Sequence, residues 1–265
     1  MRPIYDMPLE TARNVRFVLC DIDDTITTDG RLTATAYRSM EKLSEAGIAV
    51  VPITGRPAGW CDMIARLWPV HGVVGENGAF YYAYDIRLRR MRRRHHPSLD
   101  SQILRSDRFD RIRERLVNEV PGAAISADQL FRIADLAVDY CEDVKPLAPH
   151  DVQRIADIFA EEGAVAKVSS IHVNGWFGDY DKLSMTRLFA ADILDEDVSD
   201  SNPAFVFIGD SPNDSPMFEF FENSCAVANV LHFSDQLSAT PRWVANSESG
   251  AGFCEIVGHL LSARR

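Results

Sequence analysis

Three carboxylates, Asp21, Asp23 and Asp24, fall within four positions directly after the apolar run "VRFVLC" of residues 15–20. So close together they repel one another unless a cation or a proton offsets the charge. Further along lie Thr54 and Arg56 after "IAVVPI", Lys182 in "YDK", and Asp210, Asn213 and Asp214 after "AFVFIG". Brought together, these residues would supply several carboxylates, a hydroxyl and an ammonium. Carboxylates with nearby water suit a hard cation such as Mg²⁺, which would remove the repulsion. Thr54 and Lys182 could hold phosphoryl oxygens, because phosphoryl transfer is catalysed largely by positioning and charge stabilisation. A carboxylate can also act as nucleophile and form an acyl phosphate that water then hydrolyses.

Each cluster follows or opens an element able to position it. "VRFVLC", "IAVVPI", "HGVVG" and "AFVFIG" are short continuous apolar runs, as expected of strands buried on both faces. Between the first two, Thr33 or Thr35 caps a helix with Ala36, Met40 and Leu43 on one face and Gly47 as its stop. Pro57 suits the first turn of a helix reaching about Leu67, and Lys182 opens another that runs to about Asp192. "CAVAN" is a further strand, and residues 252–262 form a terminal amphipathic helix. A parallel sheet of such βα units binds ligands at the carboxyl ends of its strands, and crossover connections can gather all four clusters there.

From about Tyr84 the pattern changes to mixed α+β: a basic strand, a helix over about 99–119, strands near 130–140, a helix opened by Pro149 and closed at Gly163, then "AVAKVSSIHVNGWFG". We expect residues 1–83 and 179–265 to form the catalytic core and 84–178 an inserted domain.

As an ordered set, "DIDDT" (21–25), "TGR" (54–56), Lys182 and "GDSPND" (209–214) resemble the four motifs of the haloacid dehalogenase (HAD) superfamily. The insertion between the second and third motifs, preceded by "GENGA" (75–79), is similar to its Cof-type, C2-capped branch. The resemblance implies a HAD-like Rossmannoid α/β core with a parallel sheet and an inserted α+β cap. It also implies a Mg²⁺-dependent phosphomonoester hydrolase acting on a small phosphorylated metabolite such as a sugar phosphate. Carried over, Asp21 would attack phosphorus and become the aspartyl phosphate. Asp23 would protonate the leaving oxygen and then activate water, while its backbone carbonyl helps to hold Mg²⁺. Asp21 and Asp210 would be side-chain metal ligands, Asp214 a direct or water-mediated one. Thr54 and Lys182 would grip the phosphoryl group, with Arg56 and Asn77 bordering the substrate. The presence of Asp23 favours a phosphatase over a dehalogenase. Asp24 reads as a turn residue rather than a third ligand. The rivals are a phosphotransferase of the phosphomannomutase kind and a non-catalytic binding protein on the same scaffold.

Within the insertion, alternation puts Ser170, His172 and Asn174 on one strand face, either to read a leaving group or as an exposed sheet surface. Arg132 and Asp135 raise the same question, and Asp139 and Glu142 that of an acidic rim, with structural roles preferred for all four. The run "RLRRMRRR" (87–94) holds six of the 28 basic residues. It is either a charged edge that discourages strand pairing or a basic wall for an anionic substrate.

The net charge of -11 argues against a nucleic-acid partner, and the apolar runs are of strand length, too short for a membrane span. Five cysteines stand singly, with no CxxC pair, and read as reduced thiols. With no signal-peptide pattern at the N-terminus, the expectation is a cytoplasmic protein. Oligomeric state is not legible.

Overall fold

The computed structural model describes residues 1–100, 103 and 106–264. A two-residue strand, Arg2–Pro3 (β1), and helix Leu9–Asn14 (α1) lead to Phe17–Cys20 (β2), followed by a small hairpin, Thr27–Thr28 (β3) and Arg31–Leu32 (β4). Helix Ala34–Glu45 (α2) starts where the Thr33 hydroxyl accepts the Ala36 N–H at 3.2 Å, and Gly47, at φ 72°, turns the chain out of it. There follow Ala49–Pro52 (β5), helix Ala58–Leu67 (α3), Val73–Gly75 (β6), Phe80–Asp85 (β7) and Arg90–His95 (β8). The insertion supplies Asp107–Glu119 (α4), Ala124–Ile125 (β9), Asp135–Asp139 (β10), Pro149–Glu161 (α5), Val165–Val168 (β11) and His172–Trp176 (β12). The chain closes with Lys182–Phe189 (α6), Phe205–Gly209 (β13), Ser215–Phe220 (α7), Asn223–Ala226 (β14), Trp243–Val244 (β15) and Ser249–Ser262 (α8).

The main sheet is parallel throughout, in the order β1-β15-β14-β13-β2-β5. Period-two alternation sends Val18, Cys20, Val206 and Ile208 into the core on one face and Phe17, Leu19, Phe205 and Phe207 into that on the other. Burial on both faces is why these strands read as unbroken apolar runs. Because the strands are parallel, the loops after β2, β5 and β13 emerge at one edge.

An antiparallel sheet, β6-β7-β8, joins this layer through an Ile53–Val74 bridge. Tyr82 and Phe80 pack into one core cluster and Tyr81 and Ala83 into the other, so the basic hairpin stays with the core layers. The expected crossing near residue 83 therefore falls inside β7. The change of pattern there came from arginines on an edge strand rather than from a new core.

The insertion has its own sheet, β11-β12-β10-β9, and its own apolar cluster of Phe109, Ile112 and Leu116 from α4, Ile155, Ile158 and Phe159 from α5, and Leu136, Val138 and Val173. Its first helix begins at Asp107, later than the expected 99; residues 101, 102, 104 and 105 of that expectation lie outside the described ones. Among the described residues no helix is long and apolar enough to cross a membrane. The five cysteines are free thiols.

Candidate active site

Asp21 sits immediately beyond β2, its N–H bonded to the Ile208 carbonyl at 2.9 Å, so the neighbouring strand fixes where the carboxylate starts. Lys182 reaches it from the first turn of α6, which a capping box between Asp181 and Ser184 anchors. Gly78, at φ 108°, packs so tightly on this turn that a Cβ would lie 2.0 Å from the Asp181 carbonyl oxygen. The Lys182 ammonium donates to Asp21 Oδ1 at 2.7 Å and to Asp214 Oδ1 at 2.8 Å. Asp214 accepts the Asp210 N–H at 3.1 Å, and Asp210 accepts the Thr25 hydroxyl at 3.0 Å.

Asp21, Asp210 and Asp214 are buried, and they present oxygens within 4.8 Å of one another. Burial pushes Asp21 up to about 7 and Asp210 well above the usual carboxylate range. Lys182 partly offsets the rise for Asp21, while Asp214 and Asp23 add to it. Burial alone would depress the Lys182 ammonium, but the two carboxylates beside it reverse that and raise its pKa. Three buried carboxylates facing a single ammonium leave an excess of negative charge and an all-oxygen donor set. That is the environment a hard divalent cation fits.

Thr54, fully buried, follows β5; its N–H bonds the Val74 carbonyl and its hydroxyl accepts the Arg56 N–H at 3.0 Å. Asn77, at φ 55°, donates its N–H to the Thr54 carbonyl. Its side-chain Nδ2 is buried without a partner and lines the same cleft as Asp21, Asp23 and Arg56. Arg56 grips the Asp23 carboxylate through Nε at 3.0 Å and Nη2 at 2.8 Å, then reaches Glu142 of the insertion at 2.8 Å.

The insertion faces this cleft with the side of its sheet opposite α4 and α5. Ser170, His172 and Asn174 do line the cleft, and His172 and Asn174 are buried, so they are not an exposed sheet surface. Asn174 is committed to Asp135 at 2.9 Å, and His172 Nε2 lies at an ion-pair distance of 2.9 Å from Glu142 rather than in a well-directed hydrogen bond. His172, then Arg56, hold the Glu142 carboxyl down to about 2 against its burial. Arg132 is saturated by Asp128, Asp135 and the Gly55 carbonyl, and Asp139 caps the N–H groups of Cys141, Glu142 and Asp143. Asp24, at φ 55°, holds the Thr27 hydroxyl on its N–H, the turn role expected of it.

Sequence reading prefers a structural role for Glu142 and passes over Glu76. In the structure Glu142 is hydrogen-bonded to Arg56 from the insertion, with Asp128 at 3.8 Å from the same guanidinium. Glu76, fully buried, accepts N–H groups from Ala58 in the core and from Ile133, Ala134 and Asp135 in the insertion, at 2.6–3.3 Å. A lone carboxylate directly after a buried strand, inside "GENGA", was the available signal.

The arginine run does not border the cleft. Arg92 and Arg94 bind Asp192, and Arg93 binds Asp62, in an open groove over Tyr81. The basic wall for an anionic substrate is thereby removed from the site.

No family model matches the chain. A phosphoglycolate phosphatase of Methanothrix thermoacetophila is 23% identical over 249 residues, 94% of this chain and 98% of that protein. Among solved structures, a haloacid dehalogenase-like hydrolase from Bacteroides thetaiotaomicron superposes with a TM-score of 0.64 at 12% identity, covering 93% of this chain and 99% of the other. The chain has the HAD fold. A sucrose-phosphatase from Synechocystis sp. PCC6803, solved with sucrose and phosphate, shares this fold with a TM-score of 0.61 at 16% identity, over 94% of this chain and 98% of its own.

Proposed function

We propose that this HAD-fold protein is a phosphomonoester hydrolase acting through an aspartyl phosphate on a small phosphorylated metabolite. The observation that carries the reading is the meeting of Asp21, Lys182, Asp210 and Asp214 in one buried cluster, with Asp23 and Thr54 at the adjoining strand ends.

The substrate's phosphoryl oxygens lie between the Lys182 ammonium and Thr54. Lys182 holds Asp21 Oδ1, leaving the second oxygen to attack phosphorus in line. Asp23, positioned by the planar fork of Arg56, relays a proton from solvent to the departing alcohol oxygen. It then takes a proton from the water that cleaves the acyl phosphate, returning phosphate and free Asp21. Asp21, Asp210 and Asp214, with the Asp23 carbonyl, would hold Mg²⁺, which supplies charge neutralisation for the carboxylates and the transferring group. The insertion, α4 through β12, acts as a cap whose closure excludes water until Asp21 is phosphorylated. Two of the relatives are named for phosphatase activity, which supports the class. The acidic net charge supports an enzyme without a nucleic-acid partner.

The test is phosphate release from sugar phosphates, phosphoglycolate, nucleotides and an aryl phosphate, with and without Mg²⁺, beside Asp21→Asn. Release that needs Mg²⁺ and vanishes in the variant is expected. A folded, Mg²⁺-binding protein that releases nothing would refute the reading, and turnover only with a bisphosphorylated activator would point to a mutase.

A further inference from the structure

The space enclosed directly over Asp21 is about 20 Å³, too little for a leaving group, and the cationic side chain on its wall, Arg56, is already held by Asp23 and Glu142. Two further hollows adjoin it. One, of about 70 Å³, lies past Asn77 and Asn213 between Lys167 and Lys182. The other, of about 360 Å³, shares Ser169, Ser170, Asp210 and Ser211 with the cleft and runs the opposite way, between the insertion and the segment that follows β14.

We propose that the larger hollow is the leaving-group site and that it takes an uncharged, ring-bearing alcohol. This rests on the phosphatase reading above. Its apolar surfaces are Tyr140 and Val168 from the insertion and Phe233 and Pro212 from the core, which offer ring and methyl faces to the C–H face of a sugar or to an aryl ring. Its polar groups include Asp24, Ser170, Asn229 and Gln236, all able to meet hydroxyls. No lysine or arginine lines it, two carboxylates do, and its histidine, His232, is paired with Glu248 at 2.9 Å. A carboxylate or second phosphate on the leaving group would enter next to Asp24 with no lysine or arginine on this wall to receive it, and like charge there works against binding. The wall is built jointly by insertion and core, so closing the two together is what completes it.

The experiment compares kcat/KM for p-nitrophenyl phosphate and glucose 6-phosphate with that for phosphoglycolate and 3-phosphoglycerate, in the Mg²⁺-supplied full chain. The neutral esters should be favoured at least about tenfold. Val168→Arg, at a partly exposed strand end that tolerates the change, should narrow that ratio about tenfold by placing a cation on the wall. Exposed Gln236→Lys is the second variant and should act the same way. Phe233→Ala should raise KM for the ring-bearing esters more than it lowers kcat. Preference for the carboxylated esters in the wild type, a ratio that neither variant moves, or a ratio moved instead by Lys167→Ala would overturn the site while leaving the phosphatase reading intact. Failure to hydrolyse any of the four would overturn both.

Discussion

Lys182 Nζ and Asp21 Oδ1 meet at 2.7 Å inside the protein although 161 positions separate them. The same ammonium also holds Asp214, so one cation neutralises part of a three-carboxylate cluster. Removing it would leave two buried carboxylates without their partner. Lys182→Met is therefore expected to cost about 3–5 kcal/mol in urea denaturation with chelator present, a loss that Mg²⁺ partly restores. Unchanged stability would mean the cluster is already solvated.

The raised Asp21 carboxyl sets a pH dependence. An unfolded aspartate titrates at its ordinary value, whereas folded Asp21 titrates near about 7, so between those limits the folded chain binds more protons than the unfolded one. The stability that Asp21 contributes then falls as pH rises through that window, and the buried Asp210 and Glu76 carboxyls, raised as well, act in the same direction. Lys182, raised from an already high value, titrates above the window and does not change the sign. Melting temperatures in chelator should drop from about pH 4 to about pH 7, and Mg²⁺ should stabilise most at the upper end, where the carboxylates are ionised. A melting temperature that climbs with pH in chelator would contradict the cluster as described.

Arg56 binds Asp23 and Glu142 at once. Lysine keeps the charge but not the planar fork that both carboxylates use. Arg56→Lys should lower kcat about 10- to 100-fold with a smaller change in KM, and should shift the limb of the pH–rate profile that reports the acid. An effect confined to KM would assign Arg56 to substrate binding alone.

Glu76 presents both oxygens to N–H donors. In Glu76→Gln one oxygen becomes an amide NH₂ that faces a donor, with a cost of about 1–3 kcal/mol. Faster hydrogen exchange at the Ala58 amide should accompany it, because the remaining oxygen keeps the three insertion N–H groups and Ala58 loses its acceptor. Normal protection there would show that the contact carries no stability.

Much of the core was legible because its signals are local. Phe17–Cys20, Ala49–Pro52 and Phe205–Gly209 are buried on both faces and so are written as apolar runs, and each ends where a polar cluster begins. The convergence of Asp21, Lys182, Asp210 and Asp214 could be expected once those runs were read as parallel strands. What stayed illegible depends on partners distant in the chain. Nothing near Glu142 announces Arg56, 86 positions away, and nothing near Asn174 announces Asp135. The arginines of residues 87–94 left two readings open for the same reason: composition showed their charge, but only the pairing of β8 with β7 showed which surface they occupy.

Glu76 joins the insertion to the core by gripping main-chain N–H groups at Ile133, Ala134 and Asp135 rather than any side chain there. For that contact, the side chains at these three positions are spectators, and the substitution it forbids is proline, which has no N–H to give. The main-chain half of this junction thus outlives changes of side chain, while Asp135, tied to Arg132 and Asn174, and fully buried Ala134 keep demands of their own. A foreign insertion grafted onto this core would need, before any matching residue, free N–H groups at that place.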